Sequence, residues 1–295
     1  MRSFLWCVVV SLGLCVAAPT ASGIILFGLD NASNLTDPGN GVPFNAVAKL
    51  SNISGTGVTG SAIHLGNGYM LTAHHVAMQT HVSFDGTTFY LRDTGFTPQQ
   101  VAPNVDLQVF RLSSVPPVSS VNLLTTSSET TGSATLVGWG VGRTPSTPVD
   151  SISVPWGDTS TILKRWGVNE PEAVVTVGYQ SGSYQALETV LGSATGTPPG
   201  LGASEAAATV YDSGSALFQN IFGVWYLIGV TTAVQTNGTS NFGNDQTSAP
   251  KGDSNYFARV SAYDTQINAI IPEPSAVALF LLGTGAFFLK RRRDA

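Results

Sequence analysis

Short apolar runs separated by turn-forming residues dominate this chain and restrict the folds that are open to it. Segments such as "TGSAIHL", "YMLTA", "SATLVGWGVG", "AVVTVGY" and "VWYLIGVTTAV" are rich in β-branched and aromatic residues, with Gly, Asn, Asp and Ser between them. Only 11% of the residues are charged, and extended runs of strong helix formers are absent from these segments. Strands of this length at close spacing indicate an all-β barrel or sandwich.

The sequence also predicts individual turns and one helix. Gly66-Asn67-Gly68 separates two apolar runs and predicts a hairpin, because Asn and Gly adopt positive φ at little cost. "HVSFDG" and "TTFYLRD" predict another strand pair. The clearest helical segment is "SAYDTQINAII", in which Ser261 and Asp264 resemble a capping box and Ile267 belongs to the apolar face.

The N-terminal residues have the pattern of an export signal. Arg2 precedes the apolar run from Phe4 to Val16 and the small-residue stretch "AAPTASG", as in secretory signal peptides. Small side chains in "ASG" predict cleavage after Gly23, so that residues 1–23 form the signal peptide. A lipoprotein signal ending at Cys15 is the weaker alternative, because the bulky Leu14 precedes that cysteine.

Cysteine usage and charge exclude several kinds of site. Cys7 and Cys15 both lie in the predicted signal peptide, so the exported protein would have no disulfide, zinc–thiolate site or cysteine nucleophile. Residues 24–271 contain 16 Asp and Glu against eight Lys and Arg, a net charge of about −8. This acidic balance disfavours nucleic acid and anionic membranes as partners. No cofactor and no metal site are predicted.

The C-terminal residues form a second targeting segment. Ala276–Leu289 carries no charge and is followed by four basic residues, and "PEP" precedes the run. A 14-residue run spans only part of a hydrocarbon core about 30 Å thick, and the basic cluster would stay on the cytoplasmic side. Residues 272–295 resemble the PEP-CTERM sorting signal of Gram-negative bacteria. The resemblance implies transient inner-membrane contact, cleavage by an exosortase and delivery to the surface or medium; a short permanent anchor is the alternative.

Three separated segments supply a hydroxyl, an imidazole and a carboxylate, the groups needed for nucleophilic attack on an acyl carbon. Ser213 stands in the compact turn of "YDSGSALF", two adjacent histidines follow an apolar run in "LTAHHV", and Asp106 begins the hydrophobic run "DLQVFRL". A carboxylate that enters a buried strand needs a partner, because burying it unpaired is costly. His64 and His81 are predicted to be strand or surface residues.

These segments resemble the trypsin-like, chymotrypsin-fold serine proteases. "LTAHHV" is similar to the family's "LTAAHC", with His75 rather than His74 in the catalytic register, and "YDSGSALF" is similar to "GDSGGPLF". "VDLQVFRL" resembles the aspartate segment, and "LVGWGVG" and "YFARVSAYDTQINAII" are weaker matches. The resemblance spans about residues 46–271. It implies two six-stranded antiparallel β-barrels and a short C-terminal helix within a protease domain over residues 24–271, with Asp106 in the first barrel and Ser213 in the second.

The resemblance implies a catalytic role for each of these residues. His75, also in the first barrel, would be the general base and then the general acid, Asp106 would orient it, and Ser213 would attack the carbonyl carbon. The backbone N–H groups of Tyr211 and Ser213 would form the oxyanion hole. Tyr211 departs from the family's glycine, and a bulky residue at positive φ costs about 1–2 kcal/mol. Two alternatives follow: the tyrosine projects outward and keeps its N–H available, or the peptide flips and impairs the site.

Asp212 is the expected structural support of this loop. In the family, the corresponding residue pairs with the ammonium group of a newly exposed N-terminal residue. Ile24 would become that residue if cleavage follows Gly23, although "IILFG" is only loosely similar to the family's "IVGG". Self-activation by this ion pair is therefore a hypothesis.

The specificity pocket is predicted to be apolar and to accept small or aliphatic side chains. Ala207 stands where trypsins have the aspartate that binds Arg or Lys, and no matching charge replaces it unless Glu205 turns inward. The opposite wall is predicted at Thr232, Val234 and Asn255.

Three functions remain open from the sequence. The first is an exported serine endopeptidase that acts on proteins or peptides, after handling by signal peptidase and an exosortase-type enzyme. The second is a weakly active or inactive trypsin-fold module for surface or matrix binding, because Tyr211 replaces the loop glycine. The third, an esterase, is disfavoured because "DSG" lacks the "GxSxG" pattern before a helix.

Overall fold

The computed structural model describes residues 24–30, 32–129, 132–144, 153–192, 201–235, 240–242 and 253–271. The predicted signal peptide (1–23) and sorting tail (272–295) lie outside these residues, as do parts of the long loops rich in Ser, Thr, Gly and Pro. Within the described ranges, no helix has the length and apolar character needed to cross a membrane.

Nineteen strands and one α-helix make up the described part of the chain. The first nine strands are β1 (Ile25–Leu26), β2 (Val47–Ser51), β3 (Gly60–Gly66), β4 (Tyr69–Thr72), β5 (His81–Ser83), β6 (Tyr90–Leu91), β7 (Gln99–Gln100), β8 (Gln108–Arg111) and β9 (Asn122–Leu123). The others are β10 (Ala134–Gly138), β11 (Ser153–Pro155), β12 (Arg165–Asn169), β13 (Ala173–Tyr179), β14 (Gly182–Val190), β15 (Ala206–Ala207), β16 (Ala216–Ile221), β17 (Val224–Val234), β18 (Ser240–Phe242) and β19 (Ser254–Arg259). The α-helix is α1 (Asp264–Ile270), and short 3-10 helices lie at Phe44–Ala46, Thr159–Thr161 and Val260–Ala262.

The first half of the molecule is a seven-stranded antiparallel sheet in the order β6-β5-β2-β3-β4-β8-β7. The predicted hairpin joins β3 to β4, with Asn67 at φ 51° and Gly68 at φ 80°. Leu50, Met70 and Phe110 are fully buried against one another inside this half. The alternation of apolar and turn residues in the sequence is thus explained by a sheet that closes around its own apolar side chains.

The second half is an eight-stranded sheet in the order β12-β10-β16-β17-β19-β14-β13, with β9 beside β17. The β9–β17 pair is parallel, and the other pairs in this sheet are antiparallel. Leu136, Leu187, Leu217 and Phe257 are buried together on this sheet. The expected two barrel-like halves are therefore confirmed, although their sheets contain seven and eight strands rather than six each.

A shared apolar cluster joins the two halves. Ile63 and Leu71 from the first half pack in the same cluster as Val137, Phe218 and Val230 from the second, and all five are fully buried. Because the halves share this core, loops that end strands on either side of the seam are held at fixed positions relative to each other. The candidate site lies at this seam.

The predicted C-terminal helix is confirmed, but its predicted cap is wrong. Ile267 is fully buried against the shared cluster, as the apolar face predicts. Ser261, however, donates its hydroxyl to Glu129 Oε1 at 2.6 Å, and the N-cap residue, Tyr263, makes no side-chain capping hydrogen bond. Glu129 is completely buried and also pairs with Arg259, and the Ser261 hydroxyl points to this carboxylate rather than accepting a backbone N–H at the start of the helix.

Candidate active site

His75 is held by Asp106 through two contacts. It follows β4 in a loop, and its backbone N–H donates to Asp106 Oδ1 at 2.9 Å while its ring Nδ1 lies 2.7 Å from Asp106 Oδ2. The Asp106 side chain is 4% exposed and the His75 side chain 38% exposed. A buried carboxylate accepts hydrogen bonds only, so Nδ1 carries a proton and Nε2 is left as the acceptor. Asp106 thereby fixes both the position and the tautomer of the imidazole.

Ser213 meets His75 from the other half of the molecule. Its Oγ lies 2.8 Å from His75 Nε2, and the two residues are 138 positions apart in sequence. The Ser213 carbonyl accepts a hydrogen bond from the Ser61 N–H in β3 at 2.8 Å, which fastens the serine turn to the first half. Gly214 has φ 85°, and a Cβ there would overlap the Ser61 carbonyl oxygen. Glycine is thus required at this position to bring the hydroxyl to the imidazole.

His74 does not compete for Ser213. Its Nδ1 lies 2.7 Å from the hydroxyl of Tyr179, at the end of β13, and the two rings meet edge to face at 5.9 Å. The other two histidines lie on strands, His64 buried in β3 and His81 at the start of β5. The structure therefore brings His75 to the serine and none of the other three histidines.

Tyr179 is a neighbour of the Asp106 carboxylate that the sequence did not single out. Its hydroxyl interacts with Asp106 as well as with His74, and burial together with the negative charge of Asp106 raises the pKa of Tyr179. The hydroxyl, which can both donate and accept, contacts the His74 ring directly and lies in the field of the Asp106 carboxylate. Because Tyr179 is 73 residues from Asp106 and ends an ordinary alternating strand, no local pattern in the sequence indicates this contact.

We expect Tyr179→Phe to lower kcat by about 10-fold with little change in KM, because Asp106 loses a neighbouring hydroxyl that interacts with its negative charge. Tyr90→Phe is the matched control, since Tyr90 lies half-exposed on the edge strand β6. Steady-state kinetics on one peptide substrate give both constants. Equal kcat values for Tyr179→Phe and wild type would show that the hydroxyl does not support Asp106.

The Tyr211 peptide is oriented with its N–H away from the loop interior. The preceding carbonyl, of Val210, accepts the Val141 N–H at 3.0 Å, and no peptide bond in the described part of the chain is cis. In a trans peptide the N–H points opposite to the carbonyl, so the Tyr211 N–H faces away from Val141. Within the described residues neither this N–H nor that of Ser213 has an acceptor. Tyr211 reaches this geometry at φ 71°, a conformation that glycine adopts more easily.

We expect Tyr211→Pro to lower kcat by at least about 10²–10³-fold, because proline removes the N–H and also cannot adopt the φ of 71° found at this position. Tyr211→Gly keeps that N–H and relieves the positive φ, so its kcat is expected within about threefold of wild type. Single-turnover acylation by both variants compares the two effects directly. A gain of tenfold or more in Tyr211→Gly would mean that the tyrosine impairs the loop.

Asp212 lies completely buried beneath the serine turn. Its carboxylate accepts the Thr209 N–H at 2.8 Å, the Thr209 hydroxyl at 3.1 Å and the Ser215 hydroxyl at 3.3 Å. Burial raises the pKa of Asp212 to about 6, and hydrogen bonds, including one from the backbone N–H of Ile24, oppose that rise. A Cβ on Gly140 would overlap this carboxylate, which accounts for the second glycine of "GWG". Asp212 thus connects the N-terminal strand to the turn that carries Ser213.

The residues predicted for the specificity pocket lie close together in the second half. Ala207 is buried in β15 opposite Ile25, and the N–H of the next residue, Ala208, donates to Asn255 Oδ1 at 2.9 Å. Val234 is opposite Asn255 in the β17–β19 register. Thr232, on the same strand, accepts the Tyr184 hydroxyl at 2.8 Å and donates to the Tyr256 carbonyl at 3.1 Å.

Glu205 turns inward, but its carboxylate is hydrogen-bonded to a backbone N–H. Its Oε1 accepts the Gly192 N–H at 2.6 Å, and burial raises the pKa of this carboxyl. This hydrogen bond closes the ends of a loop and gives Glu205 a structural role. In the described ranges, no three His, Cys, Asp or Glu side chains are grouped as a metal site requires.

Comparison with known proteins gives the fold but no sequence family. No protein-family model matches the chain, and no curated protein sequence matches it. Among solved structures, it is similar to neuropsin, a serine protease expressed in the limbic system of mouse brain, with TM-score 0.50 and 15% identity over 81% of this chain and 98% of that one.

Two further solved structures are more distant. The inactive form of Rv3671c from M. tuberculosis gives TM-score 0.48 and 13% identity over 80% of this chain and 96% of that one. The HtrA-type protease AlgW with a decapeptide gives TM-score 0.46 and 18% identity over 72% of this chain and 52% of that one. The neuropsin match, together with the two barrel-like halves and the short terminal helix, establishes a chymotrypsin-like fold for this chain.

Proposed function

We propose that this protein is a serine endopeptidase that hydrolyses peptide bonds through an acyl-enzyme. One observation carries the proposal: Ser213 Oγ, His75 and Asp106 form a continuous hydrogen-bonded chain with links of 2.8 and 2.7 Å. Such a chain makes a serine hydroxyl nucleophilic, because the imidazole removes its proton as the new bond forms. A chymotrypsin-like fold supports protease activity in general, and these contacts supply the specific chemistry.

In the proposed reaction, His75 Nε2 takes the Ser213 proton while Oγ bonds to the substrate carbonyl carbon. The carbonyl π electrons move to oxygen, and the N–H groups of Tyr211 and Ser213 stabilise that negative charge. The His75 imidazolium then gives its proton to the leaving nitrogen as the C–N bond breaks. Water, activated by the same imidazole, hydrolyses the ester on Ser213. Asp106 stays ionised throughout and stabilises the imidazolium.

A fluorophosphonate probe separates this proposal from the alternative of an inactive binding module. Phosphonylation needs an activated serine, so the endopeptidase is expected to be labelled at Ser213 and the Ser213→Ala variant to remain unlabelled. Labelling of neither protein would favour the binding module. The orientation of the Val210–Tyr211 peptide supports the active alternative, since a flipped peptide would have its carbonyl on the substrate side.

Export and sorting complete the proposed function. We propose that residues 1–23 direct export, that residues 272–295 contact the inner membrane transiently, and that an exosortase-type enzyme releases the protein to the surface or medium. The sequence patterns of the two termini support these steps. Protein and peptide substrates outside the cytoplasm would be the partners.

Cleavage after Gly23 would also give Asp212 a charged partner. The Ile24 N–H already hydrogen-bonds to this carboxylate, and cleavage would convert it to an ammonium group. In the uncleaved chain the pKa of Asp212 is raised from 3.8 to about 6, so its stabilising contribution is present below pH 4 and lost as the pH rises through 6. The loss corresponds to roughly 3 kcal/mol of unfolding free energy.

Urea unfolding at pH 4 and pH 7 tests this coupling. We expect the chain that retains residues 1–23 to lose stability over that range, and the chain that starts at Ile24 to keep it, because its ammonium remains charged to about pH 8. Asp212→Asn in the longer chain should remove the Asp212 part of this pH dependence and leave the part due to Glu205, whose pKa is also raised by burial. Identical pH profiles for the two wild-type forms would show that Ile24 does not pair with Asp212.

A further inference from the structure

A cleft of about 510 Å³ lies beside the serine turn and is separate from the predicted specificity pocket. Its walls come from the loop between β2 and β3, from the 3-10 helix at Thr159–Thr161 and from Tyr211; its lining residues are Lys49, Gly55, Thr56, Gly57, Val58, Thr159, Ser160, Ile162 and Tyr211. A volume of this size holds a side chain or a short peptide segment. Lys49 is the charged residue in its wall.

The Lys49 ammonium group is buried but makes only weak contacts with the residues around it. The residue is 8% exposed, and Nζ lies at the long distance of 3.5 Å from the Gly55 carbonyl oxygen, 5.2 Å from the Trp139 ring centroid and 5.9 Å from that of Phe89. Within the described residues no carboxylate lies within 4 Å of Nζ. Burial lowers the pKa of Lys49, and distant Asp85 opposes that shift. An ammonium group has three donors, so at least two remain for a ligand.

The neighbouring acidic residue does not neutralise this cleft. Asp158 precedes Ser160, but its carboxylate accepts the Ser160 backbone N–H at 2.9 Å and is absent from the cleft lining. Thr159 and Ser160 line the cleft, and the Ser160 hydroxyl also donates to the Asp158 carboxylate. The cleft thus presents one cation and polar groups, within a domain whose net charge is negative.

Lys49 lies on β2, next to the strand β3 whose residue Ser61 is hydrogen-bonded to Ser213. It pairs with Ser61 in the β2–β3 register, and the Ser61 N–H donates to the Ser213 carbonyl. The cleft therefore lies where the loop between β2 and β3 meets Tyr211 and the 3-10 helix at Thr159–Thr161, whereas the predicted specificity pocket belongs to β15, β17 and β19. A peptide that crosses Ser213 would place its acyl half over that pocket and its leaving half over the cleft. Because Tyr211, two residues before Ser213, lines the cleft and an extended residue advances only about 3.3 Å, we assign the cleft to the first two residues beyond the scissile bond.

We propose that this cleft binds an acidic side chain, Asp or Glu, in the first two substrate residues after the scissile bond, with Lys49 as its counter-charge. The proposal rests on the endopeptidase function and adds a substrate class to it. A carboxylate that enters the cleft exchanges water for a charge-assisted hydrogen bond to an ammonium group already desolvated by the fold. The expected preference over the uncharged amide is about 10- to 100-fold.

Peptide hydrolysis by the full-length gene product, recovered after export, tests the preference. The peptides are identical before the scissile bond and carry either Glu or Gln at the first or second position after it. The measured quantity is kcat/KM for the Glu peptide divided by kcat/KM for the matching Gln peptide. We expect a ratio of at least about 10 in wild type, near 1 in Lys49→Met, and below 1 in Lys49→Glu. The ratio within each variant is independent of how much of it folds.

Lys164 provides the matched control. Its ammonium group also lies by Trp139, at 5.6 Å from the ring centroid, but it donates to the Phe44 carbonyl at 3.2 Å and does not line the cleft. Lys164→Met is therefore expected to keep the wild-type ratio. A wild-type ratio near 1 with normal hydrolysis of the Gln peptides, or a preserved ratio in Lys49→Met, would overturn the proposal while leaving the endopeptidase function intact.

A binding measurement covers the case in which no peptide is hydrolysed. The same Glu and Gln peptides are titrated into Ser213→Ala protein by calorimetry, where catalysis plays no part. Binding at least about 10-fold tighter for Glu, lost in the Ser213→Ala/Lys49→Met double variant, supports the acidic cleft even if Ser213 is inactive. Equal affinities for the two peptides contradict it.

Discussion

Ser213→Ala is expected to lower kcat for peptide hydrolysis by about 10⁶-fold, the largest effect of any substitution considered for this protein. In the proposed mechanism the serine oxygen, 2.8 Å from His75 Nε2, is the nucleophile, and alanine has no oxygen to replace it. Alanine leaves the N–H groups of the turn in place, so a small residual rate from binding and oxyanion stabilisation should remain. Progress curves on a fluorogenic peptide, run over days for the variant, measure both rates.

An exposed serine on a strand gives the control for this substitution. Ser183 lies on β14 and is exposed, so Ser183→Ala should retain the wild-type kcat. Both variants should show the wild-type unfolding temperature to within a few degrees. If Ser213→Ala retained even 1% of the wild-type kcat with the same peptide, another group would have to be the nucleophile.

Asp106→Asn is expected to lower kcat by about 10⁴-fold with little effect on the fold. Asparagine can keep the shape of the contact with His75 Nδ1, but its amide group can donate to that nitrogen and then selects the tautomer with the proton on Nε2. In that tautomer the imidazole cannot accept the Ser213 proton. The effect should shrink at high pH, where hydroxide replaces the missing base.

Asp93 supplies the matched control for the loss of a carboxylate. It also lies in the first half and pairs with Arg111 at 2.5 Å, but this pair is partly exposed and outside the site. Exposed ion pairs contribute at most about 1 kcal/mol, so Asp93→Asn should keep kcat within about threefold of wild type. Similar rates for the two variants would remove Asp106 from the proposed mechanism.

The residues at the centre of the site were predictable because each stands in a local pattern. Ser213 is in a tight turn before a strand, His75 follows an apolar run and Asp106 precedes one, so their surroundings within a few residues carry the signal. Short runs rich in β-branched and aromatic residues likewise predicted strands such as β13 and β17. Tyr211 was recognised as a departure from a motif, and its geometry became clear only from the Val141–Val210 hydrogen bond.

What the sequence did not reveal depends on contacts between distant segments. Tyr179 ends a strand like many others, and only the packing of the two halves brings its hydroxyl to His74 and Asp106. The Ser261 cap was predicted wrongly because Glu129, 132 residues away, competes for the same hydroxyl. Lys49 lies in an ordinary apolar strand, and its closeness to the serine turn arises from the register with Ser61.

Counting acyl groups on the protein tests the central claim most directly. With excess of an activated ester, an enzyme that forms an acyl-Ser213 intermediate releases one equivalent of alcohol in a rapid burst before slower turnover. We predict a burst of one equivalent per folded chain and an acyl group on Ser213 by mass spectrometry of the acid-quenched protein, with neither in His75→Ala. A linear release without a burst, together with an unmodified Ser213 at every time point, would contradict the proposed mechanism.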